Sequence, residues 1–177
     1  MGRDKAWLSL RGSPLVTHQA MLLSSAFDDV RVSAKEPDRA AALGLRVIPD
    51  LEKAFAPIYG LRSVLNAVPG PVFVLAVDMP RIPPTLVHAM AKRFVETSSD
   101  CLVPRAGGKL QTLCAAYRPS ILPALERHLG EKRLSLHDLV GDCSAEIWEE
   151  KEWSPFAREE DFRGLNTPEE YETVAIR

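Results

Sequence analysis

Apolar residues fall in short blocks along the chain, and the spacing inside the blocks switches repeatedly between two kinds. Compact runs predict strands at VRVS (30–33), LRVI (45–48), VFVLAV (72–77), CLVP (101–104), LCAAY (113–117) and AEIW (145–148). Between them, apolar positions three and four apart predict helices. The first has Ser13 as N-cap and Pro14 as its first residue, with Leu15, Leu22 and Ala26, flanked by Val16 and Leu23, on one face. A short helix spans 37–43. Another covers PIYGLRSVLNAV (57–68), with Ile58, Leu61 and Leu65 on one side, and another TLVHAMAKRFVET, with Leu86, Met90 and Phe94 buried. Helical spacing returns in PSILPALERHL and SLHDLV, while RAGGK reads as a turn. At the C-terminal end, Thr167 as N-cap, Pro168 at N1 and Glu170 at N3 make a capping box. Strands alternating with helices predict an α/β fold, a mostly parallel sheet with helices on both faces in a single domain over 1–177.

One block ends oddly. VFVLAV carries six apolar residues without a break, as a buried parallel strand does, and then delivers Asp78 two residues before Pro80. A carboxylate is costly to bury without a partner. In open α/β sheets ligands bind at the carboxyl ends of the strands. Asp78 would be lifted there out of the core, as would Asp50 after LRVI and Pro49. Two acids at such ends suit a hard, oxygen-loving cation such as Mg²⁺, which in turn brings phosphates. The bland reading, that each acid only caps a turn, stands beside it.

Composition narrows the classes. With 22 basic and 24 acidic side chains mixed along 177 residues, the net charge is -2, and no basic stripe points to nucleic acid. The longest apolar run is far too short to cross a bilayer, and MGRDKAWLSL has no signal-peptide core. The expected location is therefore cytoplasmic. Cys101, Cys114 and Cys143 are odd in number and widely spaced, which suits reduced core thiols. His18, His88, His128 and His137 lie far apart and read as surface or packing residues. Gly107-Gly108-Lys109 lacks the upstream glycine and following hydroxyl of a phosphate loop. Asp28-Asp29 reads as a solvated helix end.

Several segments, in order, resemble the molybdenum cofactor guanylyltransferase family of Rossmann-like nucleotidyltransferases. They are GRDKAWLSLRGSPLV, VSAKEP, VIPD with APIYGL, VFVLAVDMPRIPPTLV, KLQTLCAAYRPSILPALERHLGEKRLSLHDLV and FRGLNTPEEYE. The resemblance spans nearly the whole chain and implies a three-layer α/β/α fold. It also implies Mg²⁺-dependent transfer of GMP from GTP to molybdopterin with release of pyrophosphate. Lys5 matches the signature lysine that holds phosphates, Asp50 the acid associated with bound nucleotide, and Asp78 the Mg²⁺ ligand. Asn166 matches a residue facing the acceptor or metal. The implied partners are GTP, molybdopterin and proteins that mature molybdoenzymes.

Departures from the family pattern bear on this reading. Lys35 stands where an asparagine is common, Ala56 where a glycine is usual and Thr112 where a proline is frequent. In the family a first strand and a glycine-rich Leu-x-Gly-Gly-x-Ser-x-Arg loop precede the position of Met1-Gly2. The expectation is an N-terminally truncated chain with weak nucleotide binding. Cytidylyl transfer to the same pterin, or a degenerate relative that binds without transferring, stay open. A receiver domain needs an acidic pair after its first strand, whereas Asp28-Asp29 precede one. A haloacid-dehalogenase-like phosphatase needs a second Asp where Pro80 stands.

Overall fold

The computed structural model describes residues 5–10, 12–50, 52 and 56–165. Two two-residue strands, β1 (Ser9–Leu10) and β2 (Ser13–Pro14), form a small antiparallel hairpin that leads into helix α1 (Leu15–Ser24). This corrects the expected start of α1. Pro14 occupies the cap position with an extended backbone, and no side chain caps the helix. The hairpin supplies the reason: the Leu15 N–H donates to the Leu8 carbonyl at 2.9 Å, so the first helical donor is satisfied by backbone and the Ser13 hydroxyl is not needed. Then follow β3 (Arg31–Ala34), α2 (Pro37–Ala41), β4 (Arg46–Pro49) and α3 (Pro57–Ala67). The second half runs β5 (Val72–Leu75), α4 (Pro84–Glu96), β6 (Cys101–Ala106), β7 (Lys109–Leu110), β8 (Cys114–Tyr117), α5 (Leu122–Gly130), α6 (Leu136–Gly141), β9 (Ala145–Trp148) and α7 (Glu150–Trp153).

The α/β class holds, and the main sheet is mixed. β5 pairs antiparallel with β8, β8 antiparallel with β6, and β6 parallel with β9. β5, β6 and β9 therefore share one direction, with β8 running against them. β7 pairs with the end of β6 through a turn in which Gly107 and Gly108 take positive φ values of 58° and 72°. β3 and β4 form a separate parallel pair. Asp29 latches that pair: it accepts from Arg31 at 2.8 Å and from Arg46 at 3.0 Å, one basic residue on each strand. Asp29 is exposed, as the sequence suggested, but it is ion-paired just ahead of a strand and not at the end of α1, which stops at Ser24.

The strand pleat sorts the core into two layers. On β6 and β8, Leu102, Cys114 and Ala116 face one side, where Leu86, Met90 and Phe94 of α4 meet Trp148 and Trp153. Cys101, Val103, Ala115 and Tyr117 face the other, against Ile58, Leu61 and Leu65 of α3, Leu125 of α5 and Leu139 of α6. A sheet with helices over both faces results. Tyr117 is fully buried and its hydroxyl donates to the Thr112 carbonyl at 2.7 Å, so the ring adds apolar contact without stranding a polar atom. His128 is also fully buried, its Nε2 2.8 Å from an Asp142 carboxylate oxygen that Arg133 also contacts at 3.0 Å.

Two expected outcomes follow from this packing. Burial pushes the Cys101 and Cys114 thiols up to about 12, and Cys143, less enclosed, is raised as well. Because the thiolate is the reactive form, a thiol reagent at pH 8 should label Cys143 first and reach Cys101 and Cys114 only on unfolding. Labelling of all three at one rate in the native protein would show that the core is open. For Asp29, the hydrogen bonds from Arg31 and then Arg46 hold the carboxyl below its ordinary value of 3.8. A group lowered on folding stabilises above its unfolded value and loses that contribution as pH falls through its folded value. Asp29→Asn should therefore melt below wild type at pH 7, and the gap should close in acid below 3.8. A gap that persists undiminished at pH 2 would show that the ion pairs are not its source.

Candidate active site

The end of β5 is shaped by backbone before any side chain acts. The last ladder bond is from the Ala76 N–H to the Leu113 carbonyl at 2.7 Å, and the Met79 N–H then turns back onto the Ala76 carbonyl at 3.2 Å. Met79 is buried as an anchor, which leaves Asp78 at the tip of a tight turn with its side chain 30% exposed. The strand thus ends two residues short of the apolar run, because Ala76 and Val77 belong to this turn.

Three chain segments converge on that carboxylate. Lys5 opens a single turn of 3₁₀ helix, Lys5–Trp7, closed by the Leu8 N–H on the Lys5 carbonyl at 3.1 Å. Its ammonium Nζ lies 3.1 Å from Asp78 Oδ2, at 29% exposure. From the far end of the described chain, the Leu165 N–H donates to the Asp78 carbonyl at 2.7 Å. That bond brings Gly164 alongside, where a Cβ would lie 3.4 Å from the Asp78 carboxylate carbon. A residue with a larger side chain there would crowd the acid and take away part of its access. Sequence reasoning paired neither Gly164 nor Leu165 with Asp78; the only signal was their place next to the Asn-Thr-Pro element. Gln19 was missed too. From α1 it donates its amide to the Ala76 carbonyl at 3.2 Å and to that of Val77 at 3.4 Å, pinning the turn from above, and nothing in a helical glutamine announces that role.

The structure joins Lys5 and Asp78, residues 73 positions apart. Asp50 is used differently. Its N–H extends the β3–β4 ladder to the Ala34 carbonyl at 3.0 Å, and its Oδ1 accepts from the Glu52 N–H at 3.2 Å, a local turn of the bland kind. It also lines a cavity beside β3 and α3. Lys35 extends its ammonium to the Glu52 carbonyl at 3.1 Å. Asn166, Thr167, Pro168 and Glu170 lie outside the described residues.

The donor set can be weighed against Mg²⁺. Among the described residues, no three His, Cys, Asp or Glu side chains gather as a closed metal cage. Magnesium, however, keeps several waters and is bound through one or two carboxylates together with substrate phosphates. A single, accessible oxygen donor such as Asp78, next to an ammonium that can neutralise phosphate charge, fits that mode.

Comparison with known proteins places the chain in a family. Residues 1–144 match the sequence model of the MobA-like NTP transferase domain. A protein of Pelotomaculum thermopropionicum named "Probable molybdenum cofactor guanylyltransferase" is 32% identical over 139 residues, covering 78% of this chain and 67% of its own. One of the same name from Thermococcus kodakarensis is 30% identical over 174 residues, covering 96% of this chain and 85% of its own. Among solved structures, molybdopterin-guanine dinucleotide biosynthesis protein A from Archaeoglobus fulgidus superposes with a TM-score of 0.84 at 22% identity, over 99% of this chain and 90% of that one.

Proposed function

Given that the chain belongs to the MobA-like NTP transferase family, we propose that it transfers GMP from GTP to molybdopterin, with pyrophosphate leaving. The observation that carries the reading is the Lys5–Asp78 pair at the carboxyl end of β5, 3.1 Å apart and open to solvent.

The chemistry asks little covalent work of the protein. An oxygen of the acceptor phosphate forms a bond to the α-phosphorus of GTP. The bond from that phosphorus to the α–β bridging oxygen breaks, and its electron pair leaves with pyrophosphate. A phosphate monoester loses its second proton near pH 6, so the acceptor oxygen is already ionised at neutral pH and needs no general base. The remaining demand is to hold the two phosphates in line and to neutralise charge that builds on the leaving group. Lys5 is a point cation on a flexible stem and can move from Asp78 to a phosphate oxygen while keeping its charge paired. Mg²⁺, held on Asp78, supplies further charge neutralisation on the triphosphate when bound. Asp50 lines the cavity beside β3 and α3; with Oδ1 accepting from the Glu52 N–H, its Oδ2 keeps acceptor capacity that would suit a ribose or base donor. Neither Lys5 nor Asp78 acts as a nucleophile.

The test is direct. The protein is incubated with molybdopterin, Mg²⁺ and each nucleoside triphosphate in turn, and pyrophosphate is measured. Release with GTP above the others supports the reading. Release with CTP alone would replace guanylyl by cytidylyl transfer, and release with none would leave a binding protein.

A further inference from the structure

Nucleotidyl transfer to a phosphate brings two anions together, and the charge balance around Asp78 covers only one of them. Lys5 and Mg²⁺ both serve the triphosphate. The attacking phosphate monoester carries nearly two negative charges of its own at neutral pH, and the Asp78 carboxylate stands beside it. Like charges repel strongly at that range in a crevice unless cations stand next to both.

Most guanidinium groups of the molecule are committed elsewhere. Arg31 and Arg46 hold Asp29, Arg62 holds Glu52 and Glu126, and Arg133 holds Asp142. Among the described residues, Arg81, Arg127 and Arg163 give theirs to no carboxylate or carbonyl. Two of those three flank Asp78. Arg81 is half-buried in a turn closed by the Ile82 N–H on the Met79 carbonyl at 3.4 Å, and buried Met79 and Ile82 anchor the backbone on either side of it. Arg163 is exposed and stands beside buried Phe162, which packs edge-on against Trp153 with ring centroids 5.0 Å apart. On its other side Gly164 lies against the Asp78 carboxylate and Leu165 bonds to the Asp78 carbonyl. The single 3₁₀ turn that delivers Arg163, Glu159–Phe162, rests on the β6–β7 turn, where a Cβ at Gly107 would lie 3.3 Å from Glu159 Oε1. Because β6 runs in the same direction as β5, that turn rises at the same edge of the sheet as Asp78. Arg127 is elsewhere. Its charge acts on Cys143, which lies ahead of β9 and so at the opposite edge.

We infer that Arg163 and Arg81 hold the attacking phosphate monoester, an inference that rests on the transfer reading above. A guanidinium is always charged and offers a planar fork of donors that matches two oxygens of one phosphate. Neither arginine has to break an ion pair to take the ligand. The anchored backbone fixes where each stem begins, and the stem itself closes on the phosphate. Gly164 keeps the space beside the Asp78 carboxylate clear for the monoester to enter. The two arginines orient and neutralise; neither takes nor gives a proton. They also select the acceptor. A hydroxyl acceptor brings no charge for two forks to share, and a phosphate diester brings one where the monoester brings nearly two.

Two measurements test this on the full chain. In steady-state transfer, Arg163→Gln and Arg81→Gln should each raise KM for molybdopterin at least ~10-fold and leave KM for GTP within about twofold, while Arg127→Gln changes neither. Arg163→Lys should recover part of the loss, since the charge stays and the fork is gone. Both glutamine variants should melt as wild type does, because neither guanidinium holds another group of the free protein. A rise in KM for GTP instead would put the arginines on the nucleotide and overturn the assignment, as would no change in either constant. The second measurement needs no nucleotide. Inorganic phosphate titrated into wild-type protein labelled with ¹⁵N-arginine should move the Nε–H signals of Arg163 and Arg81 and leave that of Arg127, and sodium chloride at matched ionic strength should move none. Equal movement of all three signals would show general attraction to a surface and overturn the proposal, and so would no movement. Signals that move as expected in a protein that transfers no nucleotide would sink the transfer reading and leave the phosphate seat standing.

Discussion

Asp78→Asn should lower nucleotidyl transfer by at least ~10²-fold, the scale on which a reaction loses one stabiliser of transition-state charge. The exchange keeps the size of the side chain and removes its charge. Its stability cost should be small, because the Asp78 carboxylate is 30% exposed and its partner Lys5 is 29% exposed, and pairs this open contribute little to folding. The backbone bond from Leu165 to the Asp78 carbonyl is untouched, so the segment carrying Gly164 should stay in place. The two measurements are turnover at saturating GTP and Mg²⁺, and the melting temperature. Wild-type turnover in the mutant would remove Asp78 from the site. A large drop in melting temperature would instead make it a structural residue of the β5 turn.

Lys5→Ala should act on a different quantity. If the ammonium leaves Asp78 to hold phosphate, the mutant should bind GTP roughly tenfold more weakly, about 1.4 kcal/mol, with a smaller change in turnover once nucleotide is saturating. Lys5→Arg should restore part of the affinity, since charge is kept while the compact ammonium is replaced by a planar fork. Isothermal titration with GTP and Mg²⁺ separates the outcomes. Unchanged affinity in Lys5→Ala would reduce the residue to a terminal charge that happens to rest on Asp78. Raised salt should weaken wild-type binding and leave the alanine variant less affected.

Much of the architecture is written in local pattern. Ile58, Leu61 and Leu65 on α3 and Leu86, Met90 and Phe94 on α4, read from helical spacing, are all buried. The acid after VFVLAV stands at a strand end in the open, as its abrupt appearance suggested. What local pattern cannot carry is the identity of neighbours. LCAAY is apolar throughout whichever way its partners run, so the reversed direction of β8 is invisible in it. Ser13-Pro14 has the letters of a helix start, but it belongs to a hairpin whose other strand begins four residues earlier, and the first helical donor, the Leu15 N–H, is met by the Leu8 carbonyl. The site shows the same limit. Asp78 was marked by its place after VFVLAV and Lys5 only by resemblance; their approach to 3.1 Å depends on a chain path over 73 residues that no spacing encodes. Gly164 matters for the side chain it lacks, and that is legible only once Asp78 is seen beside it.

The separation of the β3–β4 pair from the main sheet also shapes how the molecule comes apart. No ladder joins the two sheets among the described residues, so the pair is held through α1 and α3 and through its own ionic latch at Asp29. Backbone ladders are what couple neighbouring strands into one cooperative unit, and here that coupling is interrupted. The segment from β3 to β4 should behave as a unit of lower local stability that opens and closes while β5, β8, β6 and β9 remain intact. Native-state hydrogen exchange in low denaturant would register it as two isotherms, one shallow for residues 31–49 and one steep for the strands that carry the double-layered core.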